Sequence, residues 1–343
     1  MESLRSVLYS RLRWKRLALA FLLLLCAIPL LTDFSSDLHR SFLQFQHQTA
    51  YPTLRRPGAC AARGSAFLLL AIKSEATHAD RRTAIRSTWG QVGVWGGRQV
   101  QRVFLLGRAA GGEERALPQA AEALVAEESA RHGDVLQWDF QESFFNVTLK
   151  ELLFWRWFEE ECAARVPYVL KGDDDVFVDV GLVLGFLSQQ AQQAQHRSLY
   201  VGKAFVSSSP VRVWWNKYYI PMSMYSSLTY PPYLGGGGYL LSGQTIRLLL
   251  QASQGVPLFP IDDAYVGMCA QAANVTAEDH PGFMPFEFST SLHPCAYQGL
   301  MVLHKLEPNE MYLLWSFYTQ HRQTCRGHHT LTPRGDEAGH STH

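Results

Sequence analysis

Residues 168–179 read YVLKGDDDVFVD: a strand-like apolar run ends at Gly172, three aspartates follow, and apolar residues then resume. Like charges at adjacent positions repel, so presenting Asp173, Asp174 and Asp175 where a hydrophobic strand surfaces is costly unless a cation or hydrogen-bond donors compensate. Side chains alternate in extended chain, which puts Asp173 and Asp175 on one face and turns Asp174 to the other. That layout suits a hard divalent cation bridging carboxylate oxygens to the phosphates of a nucleotide sugar. A solvated acidic turn is the plainer alternative.

Working outward from this stretch, strand-like and helix-like runs alternate. Residues 66–72 (AFLLLAI), 100–106, 135–139, 168–170 and 199–201 read as strands, and 81–89, 113–132 and 148–161 as helices with apolar residues at three-to-four spacing. Such alternation predicts an α/β layered domain with a mostly parallel sheet, whose ligands sit beyond the carboxyl ends of the strands. The triple aspartate falls at such an end. Farther on, Pro231-Pro232 and the run 235–238 (GGGG) interrupt the pattern before residues 239–241 resume it. Glycines permit close backbone approach, so this run reads as a constrained segment lying against a ligand.

At the amino end, residues 17–31 (LALAFLLLLCAIPLL) carry no charge and follow Arg11, Arg13, Lys15 and Arg16. A span usually takes roughly 17–25 apolar residues, so the run is short. It lacks a small-x-small cleavage site, and the reading is an uncleaved signal-anchor with the amino terminus cytoplasmic. The expected layout is a cytoplasmic tail over 1–16, an anchor over 17–31, a stem over 32–63, a lumenal domain over 64–325 and a disordered tail over 326–343. Asn146 and Asn274 each begin an Asn-Val-Thr glycosylation triplet. Of six cysteines, Cys26 falls in the anchor, which leaves an odd number in an oxidising compartment, with a Cys60–Cys162 bond as one pairing. The formal net charge of +1 excludes a strongly basic nucleic-acid binder.

RRTAIRSTWG (81–90), KGDDDVF (171–177), KYYIP (217–221), YPPYLGGGGYLLSG (230–243) and PIDDAYVGMC (260–269) occur in an order that resembles the Golgi β-1,3-glycosyltransferases of glycosyltransferase family 31. The undivided glycines and the pair Asp262-Asp263 resemble the β-1,3-N-acetylglucosaminyltransferase branch more than the galactosyltransferase branch. The resemblance implies a GT-A-type fold, a UDP-sugar donor, Mn2+ and inversion at the anomeric carbon. It also implies a galactose-terminated glycan acceptor and a single-pass type II protein in the Golgi membrane, with self-association or pairing with other glycosyltransferases left open.

Carried onto this sequence, the resemblance makes Asp175 and His304 metal ligands and Asp263 the general base. Asp173, Asp174, Asp262, Gly236 and Gly237 then serve the donor. Arg81, Arg82 and Arg86 lie at helical spacing where guanidinium groups could reach the diphosphate or the base, a solvated basic face being the alternative. Lys217, Tyr218 and Tyr233 lie in an aromatic stretch suited to stacking on sugar rings and are candidates for the acceptor. Ala264 stands where the family commonly has valine, which leaves acceptor preference open. Galactose transfer and an inactive glycan-binding partner are the competing readings.

Overall fold

The computed structural model describes residues 14–17, 19–23, 50–60, 65–110, 116–193, 198–287 and 294–321. The chain divides into two compact units, one of residues 50–210 with 226–343 and one of residues 1–49 with the segment Val211–Tyr225.

The larger unit is a mixed α/β domain. Its order is β1 (Thr53–Arg55), β2 (Leu68–Lys73), α1 (Ala79–Ser87), β3 (Gly93–Trp95), β4 (Arg98–Arg108), α2 (Ala116–His132), β5 (Val135–Gln141), α3 (Val147–Glu161), β6 (Tyr168–Asp173) and β7 (Val176–Val178). Then come α4 (Val180–Gln193), β8 (Tyr200–Phe205), β9 (Tyr233–Ser242), α5 (Gly243–Ala252), α6 (Asp262–Ala272), β10 (Glu278–Asp279), β11 (Phe283–Glu287), β12 (Val302–His304) and α7 (Pro308–His321). The main sheet runs β1-β5-β4-β2-β6-β9-β8-β10, with β3 paired to β4. Its centre, β5-β4-β2-β6, is parallel, and β9 lies antiparallel between β6 and β8. A second sheet runs β11-β12-β7.

All six residues of β2, LLLAIK, are buried. An unbroken apolar run rather than an alternating one is what a parallel strand covered on both faces requires. Leu68, Leu70, Ile72, Phe104, Leu106, Leu170 and Leu240 from the sheet pack with Ile85, Val125, Val183 and Leu187 from the helices, and with Trp89 just past α1, into one core. Helix α3 is buried from Thr148 to Phe158 except at Arg156, which is why its sequence lacks a clean polar face.

The expected strands and helices all occur, several of them longer than their apolar runs. Lys171 and Gly172 stay in β6 because β2 and β9 pair with them on both sides, and Asp173 because Lys73 of β2 still pairs with it; ladder hydrogen bonds hold a polar residue in a strand when its neighbours are in place. The glycine run lies within β9, where Gly238 pairs with Gly172 of β6 and the ladder to β8 shifts register across the run. Cys60 and Cys162 form a disulfide with Cα atoms 5.1 Å apart, Cys269 is free and buried, and Cys295 is disulfide-bonded.

In the smaller unit, residues 14–17 and 19–23 are helical. Within Val211–Tyr225, Arg212 clamps the turn by donating from Nη1 to Ile220 O at 2.7 Å and from Nη2 to Tyr225 O at 2.7 Å. Lys217 Nζ stands 4.8 Å over the Tyr218 ring, and Trp214 meets Trp215 edge-on. Among the described residues no helix is long and apolar enough to cross a membrane. Residue 18 and residues 24–31 of the expected anchor, most of the stem and the tail lie outside the described residues.

Candidate active site

Two elements distant in sequence meet at the end of β6. Asp173 is the last residue of that strand, Asp174 and Asp175 form the turn into β7, and β7 pairs antiparallel with β12 so that Val176 faces His304. The pairing brings His304 Nε2 to 3.1 Å from Asp175 Oδ1 and 3.7 Å from Asp173 Oδ2. One ligand atom from each of the three side chains lies within 4.8 Å of the others. His304 Nδ1 is 2.8 Å from Pro285 O. A carbonyl only accepts, so Nδ1 carries the proton and Nε2 is left for the carboxylates or for a cation. Two carboxylates and one imidazole fit manganese or a similar divalent ion.

The ring's surroundings fit that role. Burial pushes the His304 imidazole toward neutrality, but the hydrogen bond and charge of Asp175, with the charge of Asp173, raise its pKa above the ordinary value. Burial likewise raises Asp173, opposed by Lys73 and reinforced by Asp175 and Asp262. A cation would relieve both strains by replacing the proton.

Asp174 turns away, as alternation predicts. It is 5% exposed, takes a 2.9 Å contact from His78 Nδ1, and lies 3.5 Å from Arg81 Nη1. Burial raises its pKa, yet the His78 hydrogen bond and the charges of His78 and Arg81 leave it below the carboxylate range. These contacts tie the start of α1 to the acidic turn.

The second acid pair opens α6, and its two members have different partners. Asp262 Oδ2 accepts from Lys73 Nζ at 2.6 Å; the same ammonium lies 3.0 Å from Asp173 Oδ1, so one cation joins the two acidic motifs. Asp263 Oδ2 accepts from Gly236 N at 2.8 Å. Burial would raise both carboxyls, but Lys73 brings Asp262 below its ordinary pKa, whereas burial and the charge of Asp262 hold Asp263 well above it. Neighbouring groups pushed apart in this way are suited to different tasks, one staying ionised and the other exchanging a proton.

The glycines matter through space rather than through φ. A Cβ at Gly236 would overlap Asp263 Oδ1, and one at Gly237 would lie 2.5 Å from His304 Nδ1. Gly236 and Gly237 therefore lie against the acid and the histidine.

The three arginines separate. Arg81 reaches the cluster, with Nη1 3.7 Å from Asp175 Oδ2 and Nη2 3.3 Å from Glu307 Oε1. Arg82 is fully buried, pairing with Glu128 at 2.8 Å and donating to Ser74, Glu75 and Ala76. Arg86 pairs with Glu128 at 2.7 Å and Asp134 at 2.9 Å. Both guanidinium groups are occupied by α2 and the start of β5, which removes them from the donor set.

Tyr233 begins β9 with its ring stacked on Phe205 at 5.4 Å. Lys217 and Tyr218 belong to the smaller unit. Asn146 Nδ2 donates to Gln141 O, and the hydroxyl of Thr148 in the same triplet is buried on Phe259 O. Asn274 is exposed, with φ 54° just past the end of α6. Sequence reading missed Lys73 and His78. The available signal was a lysine closing an otherwise apolar strand, at the end of the sheet where ligands gather.

Comparison with known proteins adds to this geometry. The family model described as "Galactosyltransferase" matches residues 80–281. Mouse N-acetyllactosaminide β-1,3-N-acetylglucosaminyltransferase 4 is 44% identical over 295 residues, covering 85% of this chain and 81% of that protein. Human acetylgalactosaminyl-O-glycosyl-glycoprotein β-1,3-N-acetylglucosaminyltransferase is 42% identical, covering 84% and 76%. Rat UDP-GlcNAc:βGal β-1,3-N-acetylglucosaminyltransferase 7 is 44% identical, covering 80% and 70%. Among solved structures, apo mouse xyloside xylosyltransferase 1 is 13% identical with a TM-score of 0.31, covering 63% of this chain and 85% of that one.

Proposed function

The chain belongs to the galactosyltransferase family, and on that premise we propose that it is a GT-A-type, inverting β-1,3-N-acetylglucosaminyltransferase moving N-acetylglucosamine from UDP-GlcNAc to the 3-hydroxyl of a terminal galactose. The observation that carries the reading is the meeting of Asp173, Asp175 and His304 with the pair Asp262-Asp263 at one end of the sheet, joined by Lys73. The names of the related proteins support the choice of sugar.

In this reading Asp175 and His304 hold Mn2+, with Asp173 beside them. Bound there, the ion would stabilise the negative charge of the departing diphosphate. Arg81, at the rim, is placed to reach the same phosphates. Asp263 takes the proton of the acceptor hydroxyl: the Gly236 N–H fixes one oxygen, and burial beside ionised Asp262 raises its affinity for a proton. The acceptor oxygen bonds to the anomeric carbon as the bond to UDP breaks, and one displacement inverts that carbon. Lys217, Tyr218 and Tyr233 remain acceptor candidates. Asn146 and Asn274 remain candidate glycan attachment sites. A disulfide joining Cys60 and Cys162 suits an oxidising lumen, in keeping with a type II protein of the Golgi membrane.

The test is a donor screen on the full chain with lactosamine-type acceptors, with manganese and with excess chelator. Transfer from UDP-GlcNAc that chelator abolishes is the expected result. Preference for UDP-galactose moves the assignment to the other branch, and no turnover with either donor makes the chain an inactive binding partner. Full activity in chelator removes the metal.

A further inference from the structure

Behind the site a line of alternating charges runs into the core. Lys171 of β6 is 0% exposed, and its Nζ lies 2.7 Å from Glu151 Oε1; Glu151 of α3 is equally buried. Its other oxygen accepts from the Tyr239 hydroxyl at 3.3 Å. Lys73 Nζ stands 3.9 Å from Glu151 Oε1 and continues to Asp262 and Asp173. The sequence is plus, minus, plus, minus, and only the aspartates at its outer end are partly exposed.

Neither Glu151 nor Lys171 can touch a ligand. Stability does not explain them, because a well-packed apolar pair of similar volume often holds a core as well as a buried ion pair or better. What the pair supplies is a fixed carboxylate for Lys73. The side chains of Asp173 and Asp262 are 31% and 18% exposed, whereas Glu151 is locked between strand and helix.

We propose that Glu151 and Lys171 are positioning residues for transfer, a buried ion pair that fixes the Lys73 ammonium between Asp173 and Asp262. The inference rests on the transferase reading above. Lys73 has two partners whose side chains are partly exposed and one that is fully buried; without the buried one its ammonium is held from the exposed side alone, and the spacing between the metal-binding acids and the base loosens. Misplacement of about 1 Å at a reacting centre costs up to about a hundredfold in rate.

The test is Glu151→Leu combined with Lys171→Met, which removes both charges and leaves no buried charge unpaired. The expected result is a melting temperature near the parent's, manganese-dependent UDP affinity within about threefold, and kcat lowered about tenfold or more. Parent-like kcat in that folded variant would overturn the proposal, since a purely structural pair would be replaced without kinetic effect. Should the double variant not fold, Glu151→Asp keeps both charges while drawing the carboxylate back from Lys73; lower kcat with unchanged UDP affinity is expected, and parent kcat again overturns it. All ratios use whichever UDP-sugar the parent turns over. An active parent with an equally active variant removes the positioning role alone, whereas a parent inactive with both donors removes the transferase reading and this inference with it.

Discussion

Asp262 and Asp263 are neighbours in sequence whose surroundings divide them, and the division can be tested with single atoms. Asp263→Asn keeps the shape and the Gly236 hydrogen bond but cannot take a proton, so kcat should fall by about 10²–10⁴ while manganese-dependent UDP binding stays near the parent's. Gly236→Ala keeps the acid but drives a methyl group into Asp263 Oδ1, and kcat should fall by about tenfold or more with the same binding signature. Near-parent turnover of the asparagine variant removes Asp263 from the base role. At this scale the sequence was partly legible. The opposition of Asp174 to Asp173 and Asp175 follows from extended-chain geometry, which is local. Lys73 was not legible, because its partner Asp262 lies 189 residues away, and a lone lysine at a strand end has no periodic signature.

Helix α1 shows where an element can be read and its partner cannot. The spacing of Arg82 and Arg86 correctly puts them on one face, but nothing local says whether that face meets a ligand or another helix. Glu128 and Asp134 answer the question, with Arg102 joining through Asp134. Glu128→Gln leaves Arg82 buried with one charge unanswered and should cost about 3 kcal/mol in urea unfolding, with turnover at 25 °C intact. The pH dependence has a definite direction. Burial raises both carboxyls, but the arginines hold Glu128 and Asp134 below their ordinary pKa values. Groups depressed in the folded state stabilise it above the unfolded carboxylate value of about 4 and lose that stabilisation as pH falls through the folded values. Melting temperature should therefore fall on acidification below about pH 4, with a shallower slope in Glu128→Gln. An identical slope in the variant would show that Glu128 does not contribute.

At the scale of the whole molecule, the layered α/β architecture was legible because β2, β4, β5, β6 and β8 announce themselves as apolar runs and α1, α2 and α3 by apolar spacing, whereas β7, β11, β12, α4, α5 and α7 were not read. The separation of Val211–Tyr225 from the main unit was not, since its aromatic residues resemble core in composition while Trp215 is 73% exposed. The Cys60–Cys162 bond closes a separation of 102 residues, from the segment ahead of β2 to the end of α3. Arg165 Nη1 also donates to Cys60 O at 2.6 Å, and Gly58 N donates to Gly133 O. Those hydrogen bonds keep the segment seated when the sulfurs are removed, so the cost falls mainly on the unfolded chain, which gains the freedom of a long loop. Cys60→Ser with Cys162→Ser should lower unfolding free energy by about 4 kcal/mol and leave KM for the donor unchanged. Mild reductant also cleaves the Cys295 disulfide, so it should lower the guanidinium midpoint of the parent at least as far as that of the double variant, and bring the two reduced proteins to the same midpoint. A midpoint equal to the parent's in the variant would show that the native hydrogen bonds alone hold the two ends, and that closing the loop adds nothing.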